Sequence, residues 1–125
     1  MPTLDILKAN TVIVADTGDF ESVETYHPTD ATTNPSLIYA ASQMPQYHSL
    51  MTEALTYGKS NASEKAQQLE LTMDKLSVNF GLELLKVVPG HVSTEVDARL
   101  SYDTEGTVKK ALELIALYEQ AGISK

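Results

Sequence analysis

Three short runs rich in β-branched residues, separated by segments of helical period, constrain the fold of this chain more than any other feature. The runs are Thr11–Asp16, Asp30–Asn34 and His91–Asp97. Segments in which apolar residues recur every three or four positions precede, separate and follow them. Strands that alternate with helices pair in parallel through right-handed crossover connections. The sequence therefore predicts an α/β fold in which helices cover a parallel sheet.

Apolar periodicity predicts six helices around these strands. The first is Thr3–Ala9, with Thr3 as its cap, and the second is a short helix capped by Asp19 and ended by His27-Pro28. A third begins at Pro35, and a fourth runs from Pro45 to about Gly58, where a polar turn follows. The fifth is long, from Ser63 to Pro89-Gly90, and the last lies between Asp103 and Ala121-Gly122. The recurring apolar residues of the long helix are Ala66, Leu69, Met73, Leu76, Phe80, Leu84 and Val87. The expected buried stripe of the last helix is Val108, Ala111, Leu112, Ile115 and Tyr118.

Charge and composition exclude several classes of function. The chain has 125 residues, a formal charge of −8 and no cysteine. Because nucleic acids require a basic surface, this acidic chain is not expected to bind them. No apolar run approaches the ~20 residues that span a bilayer, and the N-terminus lacks a secretory signal. We therefore expect a cytoplasmic protein of one domain that binds no membrane.

Polar side chains stand at the ends of the predicted strands, where packing does not require them. Alternate strand residues share a face, so Thr32 and Asn34 point to the same side of the second strand. Asp16 ends the first strand, and Glu95 shares a face of the third with Ser93. If the strands are neighbours in a barrel, Asp16, Thr32, Asn34 and Glu95 face one interior. Such a polar cluster is costly unless it is hydrogen-bonded or functional.

Each candidate also has a structural interpretation. Asp16 is also suited to a turn, Asn34 to a helix cap, and Glu95 to an exposed position or an ion pair with Arg99. Lys86 lies beside the buried stripe of its helix, which favours a solvated lysine over a nucleophile. The three histidines lack the spacing of metal ligands, so no metal site is expected.

Three separated segments resemble a known family. VADTGDFE, PTDATTNPSL and STEVDARLSYD are similar to transaldolase sequences, and the resemblance extends from Thr11 to Lys125. Transaldolases are (β/α)8 TIM barrels of the class I aldolase type and usually dimerise, so a homo-oligomer is expected. The resemblance implies that residues 1–125 form a single partial domain, the first three β/α units of such a barrel, truncated before the fourth strand.

The family's chemistry gives the candidate residues expected roles. Transaldolases transfer a dihydroxyacetone unit between sugar phosphates in the non-oxidative pentose phosphate pathway, through a lysine Schiff base and without metal or coenzyme. Their substrates are fructose 6-phosphate, sedoheptulose 7-phosphate, erythrose 4-phosphate and glyceraldehyde 3-phosphate. Asp16 resembles the residue that exchanges a proton with the sugar hydroxyl, and Glu95 the carboxylate that shuttles protons through a water. Thr32 and Asn34 resemble the groups that orient the dihydroxyacetone hydroxyls.

One departure concerns the nucleophile. In the family the Schiff-base lysine lies on the strand that would come next, and neither Lys86 nor Lys125 matches it. We therefore expect this chain to be inactive alone. Three alternatives stay open for its length: a fragment of a longer protein, a short homologue that acts as a binding or assembly module, or a pair of copies that closes a pseudo-barrel.

Overall fold

The computed structural model describes residues 2–124 as a three-stranded parallel sheet, of order β1-β2-β3, with helices on one face. The strands are β1 Val14–Asp16, β2 Asp30–Thr32 and β3 Val92–Ser93. The helices are α1 Thr3–Asn10, α2 Phe20–Tyr26, α3 Pro35–Ser42, α4 His48–Asn61, α5 Lys65–Val87 and α6 Thr104–Gln120, with short 3₁₀ turns at Pro45–Tyr47 and Ala98–Leu100. The predicted parallel α/β architecture is confirmed.

The two faces of the sheet differ in what covers them. Ala15, Ala31 and Val92 point toward the helices and pack with the buried side chains of Val23 and Leu84, from α2 and α5. The opposite face carries the alternate residues, and its strand ends are polar. This division follows from the alternation of side chains along each strand. This second face, called the open face below, is exposed at Val14 and Asp16.

Helix α5 organises the core because it contributes to all three buried clusters. Its Phe80 packs with α3 and α4, its Leu84 with the sheet, and its Val78 with α6. In the part of the chain that the structure describes, no helix combines the length and apolar composition needed to cross a membrane.

The strands are shorter than predicted. β1 begins at Val14 rather than Thr11, and β2 ends at Thr32 rather than Asn34. β3 was expected to run to Asp97 but leaves the ladder after Ser93. Two causes are visible: β3 pairs only with β2 within residues 2–124, and the Asp97 carboxylate accepts the backbone N–H of Arg99, which begins a 3₁₀ turn.

Helix α4 was expected to end near Gly58 but continues to Asn61. Gly58 does not end the helix. Its role is to let α4 and α5 approach each other closely. A Cβ at this position would lie 2.1 Å from Thr72 Oγ1 and 2.4 Å from the Gln68 carbonyl oxygen. The glycine is therefore a packing residue.

The helical periods were predicted correctly, but two buried faces were partly wrong. In α5, Leu76, Phe80 and Leu84 are buried as expected, whereas Leu69 is 63% exposed and Met73 is also exposed. The first half of α5 packs on α4 through its small polar side, which includes the buried Thr72, and this turns the apolar residues outward.

The buried face of α6 is also different from the expected one. Leu112 is 58% exposed and Val108 is exposed, whereas Lys110, Leu114 and Leu117 are buried. Carboxylates of α5 draw Lys110 into the interface between the two helices, as described below. The predicted end of α6 is correct, with Gly122 following at a positive φ of 87°.

Candidate active site at the carboxyl ends of the strands

Asp16 and Thr32 meet at the carboxyl ends of two neighbouring strands. The parallel register of β1 and β2 places them opposite each other, and Thr32 continues the row to Ser93 of β3. The Thr32 hydroxyl donates a hydrogen bond of 2.9 Å to Asp16 Oδ1. Their shared face, expected from parity alone, is therefore confirmed. Asp16 is exposed, so a ligand on the open face of the sheet can reach its carboxylate.

Asn34 lies two residues beyond Thr32 and begins helix α3. Its Oδ1 accepts the backbone N–H of Leu37 at 3.0 Å, and its backbone is extended, as in a helix N-cap. The structural interpretation of this residue is thus confirmed. Among residues 2–124 no group accepts a hydrogen bond from its Nδ2, so this atom is left for other contacts.

Glu95 lies beyond the end of β3, in an irregular segment. It is exposed, and no hydrogen bond or ion pair joins it to Asp16 or to any other described side chain. The alternative pairing with Arg99 is wrong, because Arg99 binds Asp97, with Nη2 at 2.5 Å from Oδ2. Glu95 lines an open cleft with residues of the same segment and with Thr107 of α6.

The turn after Asp16 contains a carboxylate whose partner was not foreseen. Asp19 is the N-cap residue of α2, as expected, but its side chain makes no capping hydrogen bond to the helix backbone. Instead the Tyr47 hydroxyl donates to Asp19 Oδ1 at 2.6 Å, and Ser22 Oγ donates to Oδ2 at 2.7 Å. The sequence places Tyr47 with Leu50 and Ala54 on one apolar face of the helix predicted from Pro45, which indicates a core residue and gives no sign of a bond to Asp19.

Hydrogen bonding and burial shift the pKa values of Asp19 and Tyr47 in opposite directions. The bonds from Tyr47 and Ser22 hold the pKa of Asp19 below its ordinary value. Burial, reinforced by the bond to Asp19, raises the pKa of Tyr47 to about 12. A neutral phenol therefore donates to a charged carboxylate, which is a stronger bond than one between neutral groups.

Neither Lys86 nor Lys110 has the surroundings of a Schiff-base nucleophile. Lys86 is exposed and pairs with Glu83 at 2.7 Å, as its expected solvated position predicts. Lys110 is only 8% exposed, but it is not in apolar surroundings. Burial disfavours its charge, yet hydrogen bonds to Asp74, Glu113 and Glu70 outweigh this effect and raise its pKa. A lysine held protonated does not attack a carbonyl.

The carboxylates around Lys110 also resemble a metal-binding group. Oxygens of Glu70, Asp74 and Glu113 come within 4.8 Å of one another. The Lys110 ammonium lies 2.7 to 2.8 Å from all three, so the cluster already holds a cation. It joins α5 to α6 and lies outside the Asp16 site.

Comparisons with known proteins identify the family of the chain. The family model described as Transaldolase/Fructose-6-phosphate aldolase matches residues 13–124. The chain is 62% identical over 121 residues to a protein named Transaldolase from Haemophilus influenzae, and 61% identical over 121 residues to one from Actinobacillus succinogenes. Each match covers 97% of this chain and 38% of the relative, so the chain spans about two fifths of the length of these curated relatives. The chain belongs to the transaldolase/fructose-6-phosphate aldolase family.

Proposed function

We propose that this chain supplies the acid–base part of a transaldolase site. In the complete reaction, a dihydroxyacetone unit passes between sugar phosphates through a lysine Schiff base. The observation that supports the proposal is the hydrogen-bonded pair of Asp16 and Thr32 on the open face of the sheet. Relatives named Transaldolase support the reaction class. Because the chain spans 38% of those relatives, the whole reaction is proposed for a polypeptide that also contains the Schiff-base lysine.

Asp16 and Thr32 act at the carbon–carbon bond. When the bond of the ketose Schiff base breaks, the Asp16 carboxylate takes the proton of the sugar hydroxyl that becomes the aldehyde oxygen. When the dihydroxyacetone unit joins a new aldehyde, Asp16 returns a proton to the new alkoxide. The hydrogen bond from Thr32 holds one carboxylate oxygen in place and leaves the other for the substrate.

Glu95 and Asn34 act on other parts of the substrate. Glu95, which is exposed, moves protons through a bound water while the Schiff base forms and hydrolyses. Asn34 and Thr32 orient the hydroxyls of the dihydroxyacetone unit. The substrates are the phosphorylated sugars of the family, and the reaction needs no metal or coenzyme. We further propose that the protein works in the cytoplasm as a homo-oligomer.

A second role, as a binding or assembly module without catalysis, is supported by a different observation. The α6 side chains of Val108 and Leu112 are apolar and exposed. Exposed apolar groups that lie together favour association with other chains. Gel filtration with light scattering distinguishes a self-associating chain from a monomer.

The transaldolase proposal is tested in a chimera that joins this chain to the remainder of the Haemophilus influenzae relative. We expect the chimera to transfer dihydroxyacetone units, and Asp16→Asn to lower kcat by about 100-fold or more. Asp5→Asn is the matched control, since Asp5 is an exposed carboxylate on α1. Full activity of the Asp16→Asn chimera would contradict the proposal.

The 125-residue chain by itself is expected to form no Schiff base. It is incubated with fructose 6-phosphate and borohydride, and its intact mass is then measured. The mass should stay unchanged, because neither Lys86 nor Lys125 matches the family's Schiff-base lysine and three carboxylates hold Lys110 protonated. A reduced sugar adduct would overturn the expected inactivity and identify a reactive lysine in this chain.

A further inference from the structure

The turn that follows Asp16 is held from three directions. The backbone N–H of Thr17 donates to the Thr32 carbonyl at 3.2 Å, beside the Asp16–Thr32 side-chain bond. The backbone of Gly18 contacts α3 so closely that a Cβ would come within 2.9 Å of the Leu37 carbonyl oxygen. The third hold is the bond from Tyr47 to Asp19, which comes from the 3₁₀ turn before α4. Asp16 thus precedes a turn with little freedom to move.

Two hydrogen bonds connect Tyr47 to Thr17, the residue covalently bonded to Asp16. The Tyr47 hydroxyl binds the Asp19 carboxylate at 2.6 Å. The backbone N–H of the same Asp19 donates to Thr17 Oγ1 at 3.0 Å. Thr17 in turn directly follows Asp16 and is bonded to β2. A displacement of Asp19 therefore reaches Asp16 through one intervening residue.

Packing alone does not account for the Tyr47 hydroxyl. The ring is 2% exposed and packs against Phe20 and Phe80, with centroids 4.4 and 5.7 Å away. A phenylalanine would make the same ring contacts. Within residues 2–124, the hydroxyl reaches only the Asp19 carboxylate and the backbone N–H of Glu21, and both belong to the segment that follows β1. The hydrogen bonds of the Tyr47 hydroxyl therefore hold that segment and no other.

We propose that Tyr47 is a positioning residue for Asp16 and that it acts through the Asp19 carboxylate and the Thr17–Asp19 turn. The proposal rests on the role proposed above for Asp16 as the proton-transfer group. Asp19 and Tyr47 do not touch the reacting atoms; they keep the turn, and with it the Asp16 carboxylate, in one arrangement. Proton transfer needs the carboxylate within hydrogen-bond reach of the sugar hydroxyl. A looser turn therefore lowers the rate of proton transfer more than it lowers the affinity for substrate.

The first test measures amide hydrogen exchange in the 125-residue chain, with no need for activity. In Tyr47→Phe and Asp19→Asn, the amides of Thr17 and Asp19 should exchange at least about tenfold faster relative to those of α5. Tyr118→Phe is the matched control, because it also removes a tyrosine hydroxyl with a bond of 2.6 Å, to Thr94, in another cluster. In that control the two turn amides should be unchanged relative to α5.

The second test measures kinetics in the chimera described above. Tyr47→Phe should lower kcat about tenfold and leave KM within about twofold, whereas Tyr57→Phe, which removes a phenol hydroxyl from α4 outside the turn, should change neither. Equal acceleration of all amides in Tyr47→Phe, or an equal effect of Tyr118→Phe on the turn, would overturn the proposal. If Tyr47→Phe fails to fold, Asp19→Asn decides the question, because it leaves the aromatic core intact. An inactive parent chimera would contradict the proposed function, and the exchange rates would still decide the positioning.

Discussion

Lys110 is buried between α5 and α6, and the three carboxylates bound to its ammonium explain why. The sequence shows only two adjacent basic residues, Lys109 and Lys110, on a helix. Lys109 is exposed and its ammonium is 4.0 Å from Glu113, whereas Lys110 is enclosed. This pair allows a matched experiment on buried and exposed charge.

We predict that Lys110→Met lowers the free energy of unfolding by about 3 kcal/mol, because it leaves three carboxylates close together without their cation. Lys109→Met, which removes an equal charge from the surface, should change it by less than about 0.5 kcal/mol. Urea unfolding followed by circular dichroism measures both values. Equal changes in the free energy of unfolding would show that the buried cluster stabilises the fold no more than a surface charge does.

The Asp19–Tyr47 bond should give a defined dependence of stability on pH. The pKa of Asp19 is lower in the folded chain than its ordinary value of 3.8, so its stabilising effect is present above pH 3.8 and is lost as the pH falls through the folded value. Folding raises the pKa of Tyr47 from 10.0 to about 12, so the effect of this group is present below pH 10.0 and declines above it.

The measurement compares the chain with Tyr47→Phe in urea at a series of pH values. The stability difference should be constant between about pH 5 and pH 9 and should shrink toward both extremes. A difference that stays constant down to about pH 2 would show that the hydroxyl does not depend on an ionised Asp19.

At the scale of elements, the crossing of α4 and α5 depends on a residue without a side chain. Gly58→Ala should lower the free energy of unfolding by about 2 kcal/mol, because the new Cβ meets the backbone oxygen of Gln68, which cannot rotate away. Alanine favours a helix over glycine by up to about 1 kcal/mol, so the steric cost must exceed this gain. Thermal unfolding measures the change.

Ser60→Ala is the control for that substitution, since Ser60 is exposed in the same helix. It should change the free energy of unfolding by less than about 0.5 kcal/mol. A Gly58→Ala variant more stable than the parent would mean that the two helices can move apart without loss.

Helices and strands could be told apart because each segment shows its own apolar periodicity, without reference to the rest of the chain. The orientation of α5 and α6 could not, since Leu69 and Leu112 repeat as regularly as the residues that are buried. What turned these helices was a glycine contact and a buried lysine, and both depend on partners far along the chain. Strand ends were uncertain for a related reason, because local propensity does not show where pairing stops.

The same distinction applies to the candidate site. Parity along the strands was enough to place Asp16 beside Thr32, because a parallel register follows from the fold. The link from Tyr47 to Asp19 spans 28 positions and joins a predicted core residue to a predicted cap. No local pattern identifies such a pair, since it exists only after the helices have packed.

At the scale of the whole molecule, stability should be unevenly distributed. Helices α1 and α3 each have 8 residues, but α1 has no buried residue and α3 buries Ile38 and Ala41. We predict that amides of α1 exchange at least about 100-fold faster than those of α3 in the same sample. Amide exchange followed by NMR measures this, and similar rates in both helices would contradict it.

The carboxamide of Asn34 caps the start of α3 through its oxygen alone. Because the Leu37 N–H fixes which end is oxygen, the amide cannot flip without uncapping the helix. A ligand that approaches the other end therefore meets a hydrogen-bond donor and must offer a lone pair. Replacement by aspartate would keep the cap but present an acceptor in that place. The cap bond that forms on folding therefore determines that Asn34 offers a ligand a hydrogen-bond donor and not an acceptor.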